Sequence, residues 1–177
     1  PRLVGMHMRA ADGSLDPMPF ETQQNPVLEM GGGGLYSTTR DYLRFTQMIL
    51  NNGKAGGQQI LKPETIVDMA RNHIGEIDVT RMVATGKLSN DVEFFPGVQK
   101  KWGLSFLINM TDTPEGRSAG SLAWAGLGNT YYWIDRTRNI SGVIMMQLFP
   151  FADEKALNAF STFERGIYDS LRGKKAA

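Results

Sequence analysis

The chain has 177 residues, of which 41% are hydrophobic and 21% are charged, and its formal net charge is +1. These values are typical of one globular domain with a sizeable core, and a nearly neutral chain has no electrostatic footprint for nucleic acid. The sequence contains no cysteine, which excludes disulfides, thiolate metal sites and a cysteine nucleophile and is compatible with either cytoplasm or periplasm. No apolar run approaches the length of a membrane span, and the start at Pro1 without a methionine predicts a processed or truncated product.

Turn and capping signals predict the elements of the first half of the chain. A strand over Leu3–Met8 is followed by an Asp-Gly pair, which is a strong turn signal. Thr38 and Asp41 have capping-box spacing and predict a helix directly after the four glycines at 31–34. Pro63 is typical of a first helical position and predicts a second helix. Irregular segments are expected over 16–27 and 75–100.

The second half predicts a strand meander and one closing helix. Val143–Met146 is apolar on both faces, as a central strand covered by helices would be. Large apolar residues recur at helical spacing over Asp153–Leu171, namely Leu157, Phe160, Phe163, Ile167 and Leu171. Strands are expected at Trp102–Asn109, Ser121–Ala125, Asn129–Asp135 and Ile140–Leu148, with a hairpin connection at 136–138.

This order of elements predicts the α+β class, with an antiparallel sheet flanked by helices and the closing helix on one face. We expect a single domain over residues 1–177. Its first part, 1–100, would hold helices and loops, and its second part, 101–172, would hold the strand meander and the closing helix.

The most informative stretch is the bend between two predicted strands, Trp124–Gly128. Glycine at 126 and 128 leaves the backbone bare, so that a ligand could reach backbone N–H groups there. Free N–H donors at a strand edge are one way to build an oxyanion hole. The bend carries no acid, base or nucleophile, so it can be only part of a site.

Other motifs in the chain do not complete a catalytic set. No serine begins Ser-x-x-Lys, and the Gly-x-Ser-x-Gly match at Gly116–Gly120 lacks the following helix and the later Asp and His of a nucleophile elbow. The two histidines, His7 and His73, have no metal-ligand spacing, and the glycines at 31–34 are not followed by Lys-Ser/Thr as in a phosphate loop. We therefore expect no metal and no cofactor. Ser118 is interpreted as a residue of a glycine-rich hairpin turn.

Four segments of the chain occur in a characteristic order. They are Gly31–Phe45, Leu61–Ile66, Trp124–Asp135 and Gly142–Gln147. In this order and at this spacing they resemble the C-terminal half of the serine β-lactamase-like family. The branch they resemble most is that of the esterases related to class C β-lactamases and D-Ala-D-Ala carboxypeptidases. The resemblance extends over about residues 2–171.

The resemblance implies roles for the residues of the bend. The family lines its cleft with a Ser-x-x-Lys nucleophile motif, a tyrosine motif, and Lys-Thr-Gly or Trp-Gly-Gly on the strand that borders the site. Trp124, Ala125 and Gly126 resemble the third motif and would, with Gly128, contact the substrate. Leu127 would then supply a backbone N–H to the oxyanion hole. The first two motifs belong upstream of position 1, so a partial fold without the N-terminal strands and the nucleophile helix is expected.

The resemblance also implies a function and a partner. We expect part of a serine hydrolase that acts by acyl-enzyme chemistry on a small-molecule ester or β-lactam-like substrate. The alternatives are a non-catalytic ligand-binding module of the same fold and part of a cell-wall D-Ala-D-Ala carboxypeptidase; Trp124 in place of lysine favours neutral esters. Because the family pairs its first strands beside its last one, Ile140–Leu148 would have an unpaired apolar edge. We expect this edge to pair with the N-terminal half of the same protein or with another copy of the chain.

Overall fold

The structure, a computed structural model, describes residues 3–173. Its first strands form a small sheet: β1 (Met6–Arg9) pairs antiparallel with β2 (Leu15–Met18). The turn between them is closed by hydrogen bonds between Ala10 and Gly13 and between Ala10 and Ser14. The Asp-Gly turn is confirmed, and the expected strand is present but begins at Met6 instead of Leu3 and ends at Arg9 instead of Met8. The expectation of irregular chain from residue 16 was wrong for the first few residues, because this turn returns the chain along β1.

Two helices follow, and both begin where the local signals predict. Helix α1 spans Thr39–Leu50, and the hydroxyl of its N-cap Thr38 accepts a hydrogen bond from the Asp41 N–H at 3.2 Å. Helix α2 spans Pro63–Met69 with proline at its start. Between them lies a two-stranded ribbon of β3 (Lys54–Ala55) and β4 (Gln58–Gln59).

The main sheet has five antiparallel strands in sequence order, β5-β6-β7-β8-β9, which confirms the α+β class. Pairing between β7 and β8 runs from Leu122 opposite Ile134 to Gly126 opposite Thr130, and the ladder between β8 and β9 is equally long. The strands are β5 (Lys100–Trp102), β6 (Leu107–Asn109), β7 (Leu122–Gly126), β8 (Thr130–Asp135) and β9 (Ile140–Ile144).

One predicted strand, Trp102–Asn109, is two strands in the structure. The chain reverses between β5 and β6, with a hydrogen bond from the Gly103 N–H to the Phe106 carbonyl at 2.8 Å and Ser105 at φ 73°. A Cβ on Gly103 would lie 2.2 Å from the carbonyl oxygen of Met69, so this reversal packs directly against the end of α2. Periodicity did not reveal this turn, because it depends on a close contact with a distant segment.

The predicted strand Ile140–Leu148 is also divided. Its first part is an edge strand, as the family resemblance implies, and not the central strand that its apolar faces alone indicate. Within residues 3–173, β9 pairs only with β8 and is the edge of the five-stranded sheet. The chain leaves the sheet after Ile144, and β10 (Leu148–Phe149) pairs parallel with β1. The hydroxyl of Thr130 donates to the Met146 carbonyl at 3.3 Å, and the Leu148 N–H donates to the Gly128 carbonyl at 3.2 Å. These bonds turn the segment across the β7–β8 bend.

The two faces of the main sheet are covered by different helices. Alternation along β7 and β8 places Leu122 and Ile134 in a core cluster with α1 and α2, and Ala123 and Trp133 in a second cluster with α3. Helix α3 spans Glu154–Leu171, which confirms the closing helix on one face. Within residues 3–173, none of the helices combines the length and the apolar character that a membrane span requires.

The buried face of α3 is more polar than its sequence pattern predicts. Phe160 is buried as expected, but Phe163 is 39% exposed and Leu171 is 57% exposed. Glu164 and Tyr168 are fully buried instead. The helix is therefore rotated toward partners that lie far away in sequence.

Candidate functional site

The bend between β7 and β8 is a tight three-residue hairpin connection. The Gly126 carbonyl accepts a hydrogen bond from the Asn129 N–H at 3.0 Å, and Gly126 lies opposite Thr130 in the ladder. Leu127 and Gly128 have negative φ, whereas Asn129 has φ 60°. This is the pattern of a type I turn followed by one left-handed residue. Leu127 is at the tip of the hairpin and 48% exposed.

The β7 edge beside this hairpin is unpaired on the side of β6. The pairing of β6 with β7 ends at Leu107 opposite Ala123, whereas β8 continues to Gly126. Because backbone groups alternate along a strand, Ala125 directs its N–H and C=O to the side where β6 no longer extends. Within residues 3–173, the Leu127 N–H has no hydrogen-bond partner. The bend thus presents backbone donors on an open strand edge.

Aromatic side chains border this open edge. The rings of Trp124 and Trp102 meet edge to face, with centroids 4.5 Å apart and planes at 89°. The ring of Phe94 also meets that of Trp124 edge to face, with centroids 6.5 Å apart. Trp124 is half-buried, and these two aromatic neighbours come from strand β5 and from the segment before it. Sequence reasoning singled out Trp124 but missed Trp102 and Phe94, because both reach the bend only through the fold.

The two lysines beside Trp102 are engaged elsewhere. The Lys100 ammonium donates to the carbonyls of Phe95 and Val98, at 3.3 and 2.7 Å. The Lys101 ammonium donates to the Gly75 carbonyl at 2.8 Å and lies 2.9 Å from a carboxylate oxygen of Asp78. Both side chains are at least nine-tenths buried. Neither ammonium is free to bind an anion at the β7 edge.

The tyrosines that follow the bend are structural residues. Tyr131 and Tyr132 are buried, and burial raises the pKa of each phenol above its usual range. Both phenols therefore stay protonated at neutral pH, and neither is suited to accept a proton. Tyr131 stacks on Phe160 at a centroid distance of 4.8 Å. This agrees with the interpretation of these aromatics as core packing.

The other candidate residues lie apart from the bend. Ser118 is 8% exposed in the turn before β7, its N–H donates to Asp135, and its hydroxyl accepts from Arg138 Nε at 3.2 Å. Rings of His7 and His73 contact the carbonyls of Gly5 and Asp68. No group of three or more His, Cys, Asp or Glu side chains that could hold a metal is found in the described part of the chain. The interpretation of Ser118 as a turn residue is consistent with these contacts.

Comparisons with known proteins identify the fold around this bend. Residues 2–165 match the family model described as Beta-lactamase. The chain is 24% identical over 186 residues to the acyltransferase calJ of Penicillium decumbens, covering 97% of this chain and 41% of that protein. It is 28% identical over 146 residues to the lovastatin esterase of Penicillium rubens, covering 78% of this chain and 35% of that protein.

A solved structure gives the same result for the fold. Unliganded simvastatin synthase (LovD) from Aspergillus terreus superposes with a TM-score of 0.70 at 20% identity, over 96% of this chain and 41% of that one. The chain thus spans less than half the length of the relatives that it matches. Since the family model covers nearly the whole chain, this protein belongs to the Beta-lactamase family, the family of serine β-lactamases and related esterases and acyltransferases.

Proposed function

We propose that this chain contributes the oxyanion-hole strand of a serine hydrolase that works through an acyl-enzyme. The observation that carries the proposal is the open β7 edge, where the Leu127 N–H has no partner within the described residues. In this role the Leu127 N–H donates to the oxyanion that forms when the acyl carbon is attacked. Trp124, Ala125, Gly126 and Gly128 contact the substrate along the same edge.

The nucleophile in this proposal comes from outside the 177 residues. The sequence has no Ser-x-x-Lys motif, and Ser118 is buried in its turn with Arg138 as its hydroxyl partner. The matched relatives are more than twice as long as this chain, which leaves room for a nucleophile segment in a longer protein. We therefore expect the 177-residue chain alone to be inactive.

The substrate that the site supports best is a neutral ester with an apolar acyl or alcohol group. Trp102, Trp124 and Phe94 form an aromatic border, and the nearby Lys100 and Lys101 are occupied by protein carbonyls. A free ammonium at this edge would instead favour a substrate carboxylate, as in cell-wall peptides or β-lactams. The names of two matched relatives, an acyltransferase and an esterase, are in line with ester chemistry.

A partner for the β9 edge is part of the same proposal. Within residues 3–173 this strand pairs on one side only, and its residue Val143 is buried whereas Ile144 is only half-buried. An apolar edge with free backbone groups is a template for another strand. We propose that the N-terminal half of the same protein supplies that strand, and that the isolated chain pairs with a second copy. Light scattering that finds only monomer at high concentration would argue against this pairing.

The experiment that tests the function removes the backbone N–H of Leu127. Leu127→Pro deletes the N–H, and proline suits the second position of a type I turn, so the hairpin is preserved. Leu127→Ala keeps the N–H and is the matched control. In the longer protein, with p-nitrophenyl esters, we expect Leu127→Pro to lower kcat by about 10²–10³-fold and Leu127→Ala to lower it only slightly.

Three results would contradict the proposal. One is equal activity of the two Leu127 variants. Another is labelling of the 177-residue chain alone by a fluorophosphonate probe. The third is a longer protein that binds esters but neither hydrolyses nor transfers their acyl group, since that result would favour the non-catalytic binding module.

A further inference from the structure

Asn129 is a fully buried residue whose side chain uses all of its hydrogen-bonding capacity. Its Nδ2 donates to the carbonyls of Leu148 and Pro150, at 2.8 and 2.7 Å. Its Oδ1 accepts from the Tyr131 hydroxyl at 2.6 Å and from the Asp153 N–H at 3.3 Å. An asparagine amide has two donor hydrogens and two acceptor lone pairs, so all four are satisfied. Asn129 has zero exposed surface.

The backbone and the side chain of Asn129 impose separate requirements. Its φ of 60° lies in the left-handed region, where asparagine and glycine are the residues most readily accommodated. Glycine would meet the backbone requirement, but it would leave the carbonyls of Leu148 and Pro150 without these donors. Asparagine meets both requirements, because it tolerates the left-handed conformation and its amide joins the turn to the segment that follows β9.

The hairpin is attached to that segment at a second point. The Gly128 carbonyl accepts from the Leu148 N–H at 3.2 Å, and a Cβ on Gly128 would approach the Met146 carbonyl to 3.4 Å. The Asp153 carboxylate, next to the Asn129 contact, caps α3 through the Ala156 N–H. The tip of the hairpin is therefore held against an element that is itself fixed to helix α3.

We infer that Asn129 is the positioning residue of the oxyanion donor, acting through the backbone that it shares with Leu127. This inference rests on the proposed function of Leu127. Leu127 lies two residues before Asn129 at the tip of the hairpin, where the residue is 48% exposed. The direction of its N–H is thus set by how the turn is docked. Donors stabilise a transition state only if they are aligned before the charge develops, and a displacement of about 1 Å can cost about 10²-fold in rate.

The test separates the side chain of Asn129 from its backbone conformation. Asn129→Gly keeps the left-handed φ and removes the four side-chain bonds. Asn139→Gly is the matched control, since Asn139 has φ 55° and is exposed in the β8–β9 hairpin of the same sheet. In the longer protein we expect Asn129→Gly to lower kcat on p-nitrophenyl esters by about 10–100-fold while KM changes less than about threefold. Asn139→Gly should leave both constants unchanged.

A third variant separates positioning from loss of stability. Tyr168→Phe removes the buried hydroxyl that donates to Asp135 at 3.0 Å, on the opposite end of the sheet from the hairpin. It should lower the melting temperature and leave kcat unchanged at temperatures well below melting. If Tyr168→Phe lowers kcat as much as Asn129→Gly does, or if folded Asn129→Gly retains kcat within about twofold of the original, the inference is wrong.

A second readout does not depend on activity. In ¹⁵N spectra of the 177-residue chain, we expect Asn129→Gly to shift or broaden the Leu127 amide resonance and to speed its hydrogen exchange, whereas Asn139→Gly does neither. An unchanged Leu127 resonance would overturn the inference even if kcat falls. If the longer protein has no esterase activity, the proposed function fails, and the Leu127 resonance alone decides whether Asn129 holds the bend.

Discussion

The buried ion pair between Arg117 and Glu164 offers a test of how the sheet is joined to α3. Arg117 Nε and one terminal nitrogen contact the two carboxylate oxygens of Glu164, at 2.5 and 2.6 Å. Both side chains are at most 2% exposed. The guanidinium also lies over the ring of Phe95, at 4.7 Å from its centroid. Burial raises the pKa of Glu164, and the adjacent guanidinium opposes that rise.

The perturbation is Glu164→Gln, which leaves the Arg117 charge buried without a counter-charge. Breaking one partner of a buried pair costs about 3–5 kcal/mol of unfolding free energy. In a domain of this length, 1 kcal/mol corresponds to about 2–4 °C, so we expect the melting temperature to fall by about 6–20 °C. Replacing both residues, as in Arg117→Met with Glu164→Leu, should cost less than either single change, because no charge is then left buried.

The assay is thermal and urea unfolding followed by circular dichroism, on Glu164→Gln, on Arg117→Met and Glu164→Leu singly, and on the double variant that combines the last two. Arg44→Ala is the control, because Arg44 forms an ion pair with Asp41 at 2.8 Å while it is 64% exposed. Such surface pairs contribute about 0–1 kcal/mol. If Glu164→Gln lowers the free energy of unfolding no more than Arg44→Ala does, the guanidinium is not desolvated as described. The same conclusion follows if the loss in the double variant equals the sum of the losses in its two single variants.

Two other predictions concern packing and charge elsewhere in the fold. Arg9 hydrogen-bonds Asp153, and although burial alone would raise the pKa of that carboxyl, these bonds hold it below its usual range. The stability that the ionised Asp153 contributes is therefore present above about pH 4 and is lost as pH falls through its folded pKa. In urea unfolding, the loss of stability caused by Asp153→Asn should thus be smaller at pH 3 than at pH 7. An equal loss of stability at both pH values would contradict this. A Cβ on Gly142 would lie 2.1 Å from the Trp133 ring, so Gly142→Ala should lower the free energy of unfolding by about 1–3 kcal/mol. Gly166→Ala is the control and should not destabilise the chain, because a Cβ there would have no atom within 4 Å. Equal melting temperatures for the two variants would refute the packing.

The three helices were predictable because their signals are local. The Thr38 hydroxyl caps α1, Pro63 begins α2, and Asp153 caps α3 through the Ala156 N–H, each within a few residues of the helix that it starts. A hydrogen bond between neighbours in sequence depends little on the rest of the fold. The turn at Asp12-Gly13 was predictable for the same reason.

The arrangement of the strands was predictable only in part. The β7–β8–β9 meander follows from short connections, but the reversal at Gly103 depends on the Met69 carbonyl 34 residues earlier in the chain. Helix α3 has large apolar residues at helical spacing, yet Glu164 is buried on it, and this burial depends on Arg117, which lies 47 residues earlier in the chain. Patterns in one segment carry no information on such partners, so the reversal at Gly103 and the rotation of α3 were decided by tertiary contacts. The unpaired edge of β9 within residues 3–173, in contrast, was expected from the family resemblance.

The candidate site shows the same division. The sequence by itself predicted a bare bend between two strands at 124–128, since glycines and flanking β-formers act locally, and the order of motifs indicated a known family. The bend exists, but Trp124, Ala125 and Gly126 belong to strand β7, and the connection itself is Leu127–Asn129. Only the tertiary structure decided that the pairing of β6 with β7 ends at Leu107 opposite Ala123, and that Trp102 and Phe94 border the open edge. It also decided that Asn129 docks the hairpin on the segment 148–153. The physical reason is that an open edge and a docked turn are made by segments that meet in space from distant parts of the chain.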